Sequence, residues 1–295
     1  MNLKTLTAIA LAAFAGMASA QRLYFQQGDL EWNEVTLNGT NLQQKVTNPD
    51  GSTSIRSIPA SNVIRVDWPY PAELHDALSL ILKHKYAEAL AKAGEVKTVH
   101  ANWKDKPGSW YVPAALLVAE CYIRQGKPAE TDKVLTELRT MQLSPGQQRG
   151  LLMVQALEDF QKDATTPALE KAQKALQNNE DSAMLARIQL LIGDIKFKRD
   201  DFMQALDAYL HIPVFYGAQG QLMPVAELGA AKSLFGLKRL TDASKSLGQI
   251  AERYKDTPEA AEAVKLKEEV DKVITGGVAT PPAADSKPKA EAEAK

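Results

Sequence analysis

The chain has 295 residues, 45% of them hydrophobic and 24% charged, which supplies apolar material for a core or two and excludes a wholly disordered or collagen-like polypeptide. Its 35 basic and 36 acidic side chains leave a formal net charge of -1, so no global field favours nucleic acid or an acidic membrane surface. A single cysteine excludes an intramolecular disulfide and any multi-cysteine zinc site.

Residues 1–20, MNLKTLTAIALAAFAGMASA, have the three parts of a secretory signal: the cation Lys4, an apolar run over 6–18, and the small-x-small pattern Ala18-Ser19-Ala20. The run is shorter than the roughly 20 residues that span a bilayer, so cleavage between Ala20 and Gln21 is expected. No cysteine stands at the cleavage point, which argues against a lipoprotein, and no later apolar run is long enough for an integral membrane segment. The mature chain is therefore expected to be exported, to the periplasm or beyond the cell.

Residues 22–68 alternate in short β-branched or aromatic runs (LYF, EWNEVTL, LQQKVT, STSIRSI, NVIRVDW), separated by turn signals at Gly28-Asp29, Asn38-Gly39 and Asn48-Pro49-Asp50-Gly51. Five short strands of this kind predict a small all-β barrel, too small to be a strong independent core, and expected to lean on the helical region C-terminal to it. Through QGDLEWNEVTLNGTNL and SIRSIPASNVIRVDWPYP the module resembles the Sm-like or SH3-like barrels found before helical repeats in some bacterial envelope proteins.

From residue 70 to 275 the pattern is helical and repeats. HKYAEALAKAGEV places Tyr86, Ala89, Ala93 and Val96 at the spacing that RDDFMQALDAYLHI fills with Phe202, Ala205, Tyr209 and Ile212, and that Leu240, Ala243, Leu247 and Ile250 fill again. More degenerate copies centre on Thr131 and Ala168. The anchors 89, 131, 168, 205 and 243 lie 42, 37, 37 and 38 residues apart. A small anchor lets the second helix of a hairpin approach the first, and apolar residues four and seven positions on bury one face against the next hairpin. The expected fold is mostly α, an α-solenoid of about five helical hairpins behind the small barrel. Ser144-Pro145, Thr166-Pro167 and Thr257-Pro258 pair an N-cap residue with proline at the first helical position, and the last opens a charged helix suited to capping the array. Residues 276–295, rich in Ala, Pro, Lys and Glu, read as a solvated, disordered tail.

With LLIGDIKFKRDDFMQALDAYLHI (190–212) as the closest match, through Gly193, Phe202, Ala205 and Tyr209, this region resembles the tetratricopeptide repeat family. It departs from that family in Asp200 at the usual turn glycine, in Thr131 at an anchor, and in a spacing longer than the family's period of about 34 residues. RYKDTPEAAEAV (253–264) resembles a junction in periplasmic proteins of the Tol–Pal coordinator type. The repeat resemblance implies a peptide-binding groove lined by the first helix of each hairpin. Carried onto this sequence it selects Leu116, Glu120, Ile123 and Arg124; Met153, Leu157, Phe160 and Gln161; Leu190, Asp194, Phe197 and Lys198; and Leu228, Lys232 and Phe235. Such a ladder, ending in Phe160, Phe197 and Phe235, suits an amphipathic helix or extended apolar peptide. Shifted by one residue, it would be ordinary packing between helices.

Chemistry is not written into the sequence. The histidines His75, His84, His100 and His211 lack the spacing of a metal site, and no nucleophile elbow, P-loop or dinucleotide fingerprint occurs. Cys121, within LLVAECYIRQG, is expected to be a buried core thiol. No enzyme activity, metal or cofactor is therefore expected. All four tryptophans, Trp32, Trp68, Trp103 and Trp110, precede residue 111. Trp103 and Trp110 read either as a packed junction between barrel and array or as an aromatic platform for a glycan or peptide. The expected function is that of an exported, non-enzymatic scaffold binding a protein or peptide with an apolar segment; peptidoglycan binding through the tryptophans, and self-assembly through the array ends, are the alternatives.

Overall fold

A computed structural model describes residues 21–276, and the expected signal segment with its cleavage point after Ala20 lies outside them, as does the tail beyond Gly276. Among the described residues, six strands precede eleven α-helices. They group into two compact units, one made of residues 21–75 and 92–115 and the other of 76–91 and 116–276.

In the N-terminal unit, β1 (Arg22–Tyr24), β2 (Asp29–Glu31) and β6 (Arg65–Asp67) form an antiparallel sheet in the order β2-β1-β6. A second antiparallel sheet orders β3 (Val35–Asn38), β4 (Asn41–Thr47) and β5 (Thr53–Pro59) as β3-β4-β5. The expected five-stranded barrel is thus corrected to two three-stranded sheets, with no closed barrel among the described residues. Short 3-10 turns at Trp32–Glu34 and Ala60–Asn62 separate β2 from β3 and β5 from β6 where the chain passes between the sheets, and Pro59, which has no N–H to give, ends β5.

Alternate residues point inward, and Leu23, Leu42, Val63 and Val66 are at most 1% exposed. Trp32, Trp68 and Trp103 close this core, their rings 5.3 to 5.4 Å apart between centroids. Residues 92–115 therefore belong to the unit, which is larger than the 22–68 module. The Val66 N–H donates to the Pro107 carbonyl at 3.0 Å, and a Cβ at Gly108 would fall 1.8 Å from the Val66 oxygen, so only glycine fits there.

The helices are α1 (Ala72–Leu82), α2 (Tyr86–Val99), α3 (Tyr111–Arg124), α4 (Pro128–Thr140), α5 (Pro145–Gln161), α6 (Thr165–Leu176), α7 (Ser182–Lys198), α8 (Phe202–Phe215), α9 (Met223–Gly236), α10 (Leu240–Arg253) and α11 (Pro258–Ile274). From α5 to α11 each helix packs on the next in sequence, as in a stacked array.

One turn recurs five times. His84, Gly126, Asp163, Asp200 and Lys238 all have φ between 59° and 67°, the left-handed conformation that ends a helix. In each case the next residue donates its N–H to the carbonyl five positions back: Lys85 to Leu80, Lys127 to Tyr122, Ala164 to Asp159, Asp201 to Lys196 and Arg239 to Leu234, at 2.9 to 3.0 Å. These turns join α1 to α2, α3 to α4, α5 to α6, α7 to α8 and α9 to α10, and the anchor of each second helix stands five residues beyond the left-handed residue. Ala89, Ala168, Ala205 and Ala243 are 0% exposed and Thr131 1%, as the repeat requires. Thr131 is tolerated because its hydroxyl donates to the Lys127 carbonyl at 2.9 Å, one helical turn back.

The caps agree in two of three places. The side chains of Ser144 and Thr257 accept from Gln147 N and Ala260 N, opening α5 and α11. Thr166 is not a cap: α6 already begins at Thr165, fed directly by the left-handed turn at Asp163, and Pro167 falls inside the first turn, where its missing N–H leaves no bond unmade. Helices approach closely at Tyr209, whose ring fits between α7 and α9; a Cβ on Gly193 or Gly229 would fall 2.6 Å from it.

Candidate binding cavity

Within the array unit a cavity of about 70 Å³ opens among the first helices of the hairpins. Its walls are Leu78, Ile81 and Leu82 from α1, Met153 and Leu157 from α5, Leu190 and Leu191 from α7, and Leu222 from the 3-10 turn Gly220–Leu222. Leu82 also packs against the buried cluster of Ala186, Ile212, Leu222 and Ala226.

The polar side of the cavity centres on Glu120 of α3, whose side chain is 4% exposed. Arg124, one turn further along α3, meets its Oε1 through Nε at 3.2 Å, and Arg187 of α7 pairs with its Oε2. Burial alone would push the Glu120 carboxyl up, but the two guanidiniums reverse this and hold it below the usual carboxylate range. Burial likewise works against the charge of Arg124, and Glu120, Tyr86 and Asp194 more than restore it. Asp194 of α7 accepts the Tyr209 hydroxyl at 2.7 Å. Two cations and two carboxylates thus balance in a wall that is otherwise apolar except for Gln219 and Gln221. The cavity thus sets fixed polar groups beside an apolar surface.

Six of the groove residues expected from the sequence line this cavity: Glu120, Arg124, Met153, Leu157, Leu190 and Asp194. The terminal ladder is corrected. Phe235 is fully buried, and Phe197 is 7% exposed, with its ring against Phe202 at 5.3 Å; both belong to the core that α7 to α11 share, as does Leu228. Leu116 packs on Gly150, and Ile123 is buried. Half-buried Phe160 lies under the Lys198 ammonium, 5.1 Å from its ring centre, while Lys198 pairs with Asp163. Lys232 pairs with Glu262 at 2.6 Å, tying α9 to α11. Gln161 is half-buried and does not line the cavity.

Arg187, Gln219 and the α1 wall are not among the residues the sequence pattern selects. Arg187 was within reach, since Arg187, Leu190 and Asp194 are spaced 3 and 4, one face of one helix. The α1 wall depends on chain-distant packing that no local pattern encodes.

Trp103 is 0% exposed, which corrects the aromatic platform: its ring is core of the N-terminal unit. Trp110 is half-buried, and its Nε1 donates to the Trp68 carbonyl at 3.0 Å. His100 lies against Trp68 with centroids 4.3 Å apart and accepts the Trp110 backbone N–H on Nδ1 at 3.3 Å; burial pushes its pKa down to about 4. Cys121 is buried, and burial, then the Glu120 charge, pushes its thiol up to about 12. A thiol held protonated is a poor nucleophile. Among the described residues no group of three or more His, Cys, Asp or Glu is placed to hold a metal ion, and no helix is long and apolar enough to cross a membrane.

No family model matches the chain, and no curated protein matches it.

Proposed function

We propose that this protein is an exported, non-enzymatic scaffold of the tetratricopeptide kind, which holds a protein or peptide partner on the face made by the first helices of its hairpins. The observation that carries this reading is the cavity between α1, α3, α5 and α7, apolar on most sides and bearing the Glu120–Arg124–Arg187 cluster. Its size narrows the mode of recognition. There is room for an anchoring side chain of a partner rather than for a whole amphipathic helix, and the guanidiniums and carboxylates beside it suit the partner's backbone polar groups.

The test is to fill the cavity. Leu78→Trp places an indole where the anchor would sit, and crosslinking in the native envelope then compares what the variant and the unaltered chain capture. Loss of the captured protein with unchanged helical circular dichroism is the expected result. Equal capture by a folded variant would put the binding surface elsewhere.

A further inference from the structure

The strand β5 is an edge. It pairs with β4 on one side only, its residues Thr53 to Ser57 are all exposed, and among the described residues its other side makes no backbone hydrogen bond. A free row of N–H and C=O groups, otherwise left to water, is a template for another extended polypeptide backbone. Beside the edge lies a groove of about 590 Å³, bounded by Arg56 and Ile58 of β5, by Phe25 and Leu30 at the β1–β2 turn, and by Ile64.

The charges there are unequal. Asp29, on the same groove, shares the single cation Arg22 with Glu31, at 2.6 and 3.2 Å, whereas Arg56 is in no ion pair among the described residues. Arg56 is therefore the cation on this edge without a carboxylate of its own. Alternation along β5 then sets the pattern of side chains. Ser54, Arg56 and Ile58 share the face of Leu42, their neighbours on β4 being Val46, Gln44 and Leu42, and Ile55 stands on the other face at 68% exposure.

We propose that the free edge of β5 accepts an extended peptide as a fourth, antiparallel strand, with an acidic side chain opposite Arg56 and apolar side chains opposite Ile58 and Ile55. Along the added strand the order is apolar, any residue, acidic, apolar. The peptide lies across the groove so that its first apolar side chain enters beside Phe25 and Leu30. This surface belongs to the N-terminal unit, and the proposal stands independently of the cavity in the array.

The probe is a fluorescein-labelled peptide containing Val-Thr-Glu-Val, titrated with the full mature chain and followed by fluorescence polarisation. Two controls accompany it, one with Lys in place of Glu and one with alternate backbone nitrogens methylated. The Glu peptide is expected to bind, the Lys peptide about fivefold more weakly, and the methylated peptide at least about tenfold more weakly. Arg56→Glu, a change at an exposed side chain, is expected to invert the preference between Glu and Lys peptides while leaving the thermal midpoint unchanged. No binding of the Glu peptide, equal binding of all three, or an unchanged preference in Arg56→Glu would overturn the proposal. So would a concentration-dependent dimer seen by light scattering and lost in Ile55→Lys, since the edge would then be taken by a second copy.

Discussion

Glu120 shows how one buried carboxylate organises a site. Its side chain is 4% exposed and satisfied on both oxygens by guanidiniums from two different helices. Removing it by Glu120→Ala leaves Arg124 and Arg187 with Asp194 as the one remaining carboxylate of the cluster, in a largely apolar wall. The expected loss is about 3 kcal/mol of stability, discounted from the value for a fully buried pair because the arginine side chains are 31% and 22% exposed. Chemical denaturation of the variant checks this, and an unchanged midpoint would mean that the cluster is solvated. Because the folded pKa of Glu120 is lowered, its stabilisation is present above the unfolded value of 4.5 and is lost as the pH falls through the folded one.

At the scale of elements, the repeated left-handed turn specifies the hairpins more sharply than any single apolar contact. Only Gly126 of the five residues in that conformation is glycine; His84, Asp163, Asp200 and Lys238 hold it at a steric cost. Lys238, with φ of 60°, lacks the short polar side chain that makes the conformation tolerable for Asp. Lys238→Gly is therefore expected to stabilise the array by about 1 kcal/mol and to raise its midpoint by about 2–4 °C in a thermal melt. A fall in the midpoint would show that the turn is not what limits this hairpin.

The hairpins were legible in the sequence because a small residue must recur where helices approach, and Ala89, Ala168, Ala205 and Ala243 are buried as that rule demands. The two-sheet arrangement was not, since whether two sheets close depends on pairing between distant strands, while the sequence displays only alternation. The groove was half legible. Leu190 and Asp194 face the cavity, but Phe197, seven residues from Leu190 and within about 20° of it around the helix, goes into the core with Phe202. An aromatic residue on a stripe of leucines looks the same from sequence whether it meets a ligand or the next hairpin.

For the whole molecule, the two units are expected to respond to acid differently. His100 in the N-terminal unit is neutral when folded, its pKa lowered from 6.5 to about 4, so the stability it confers is complete above pH 6.5 and is lost as the pH falls from there towards 4. The Glu120 contribution in the array disappears only below 4.5. Trp32, Trp68, Trp103 and Trp110 all lie in the N-terminal unit, so their fluorescence reports that unit alone. On acidification, tryptophan emission is expected to change before far-ultraviolet helicity does, and His100→Gln should narrow the interval. Coincident transitions would contradict this separation.

The face on which a partner is held is the central functional claim, and a photoreactive side chain tests it directly. Placed in turn at Leu78, on the cavity wall, and at Met203, 60% exposed on α8, it reports which side of the array, if either, touches another protein in the cell. The expected result is an adduct from Leu78 and none from Met203. An adduct from Met203 with none from Leu78 would contradict it.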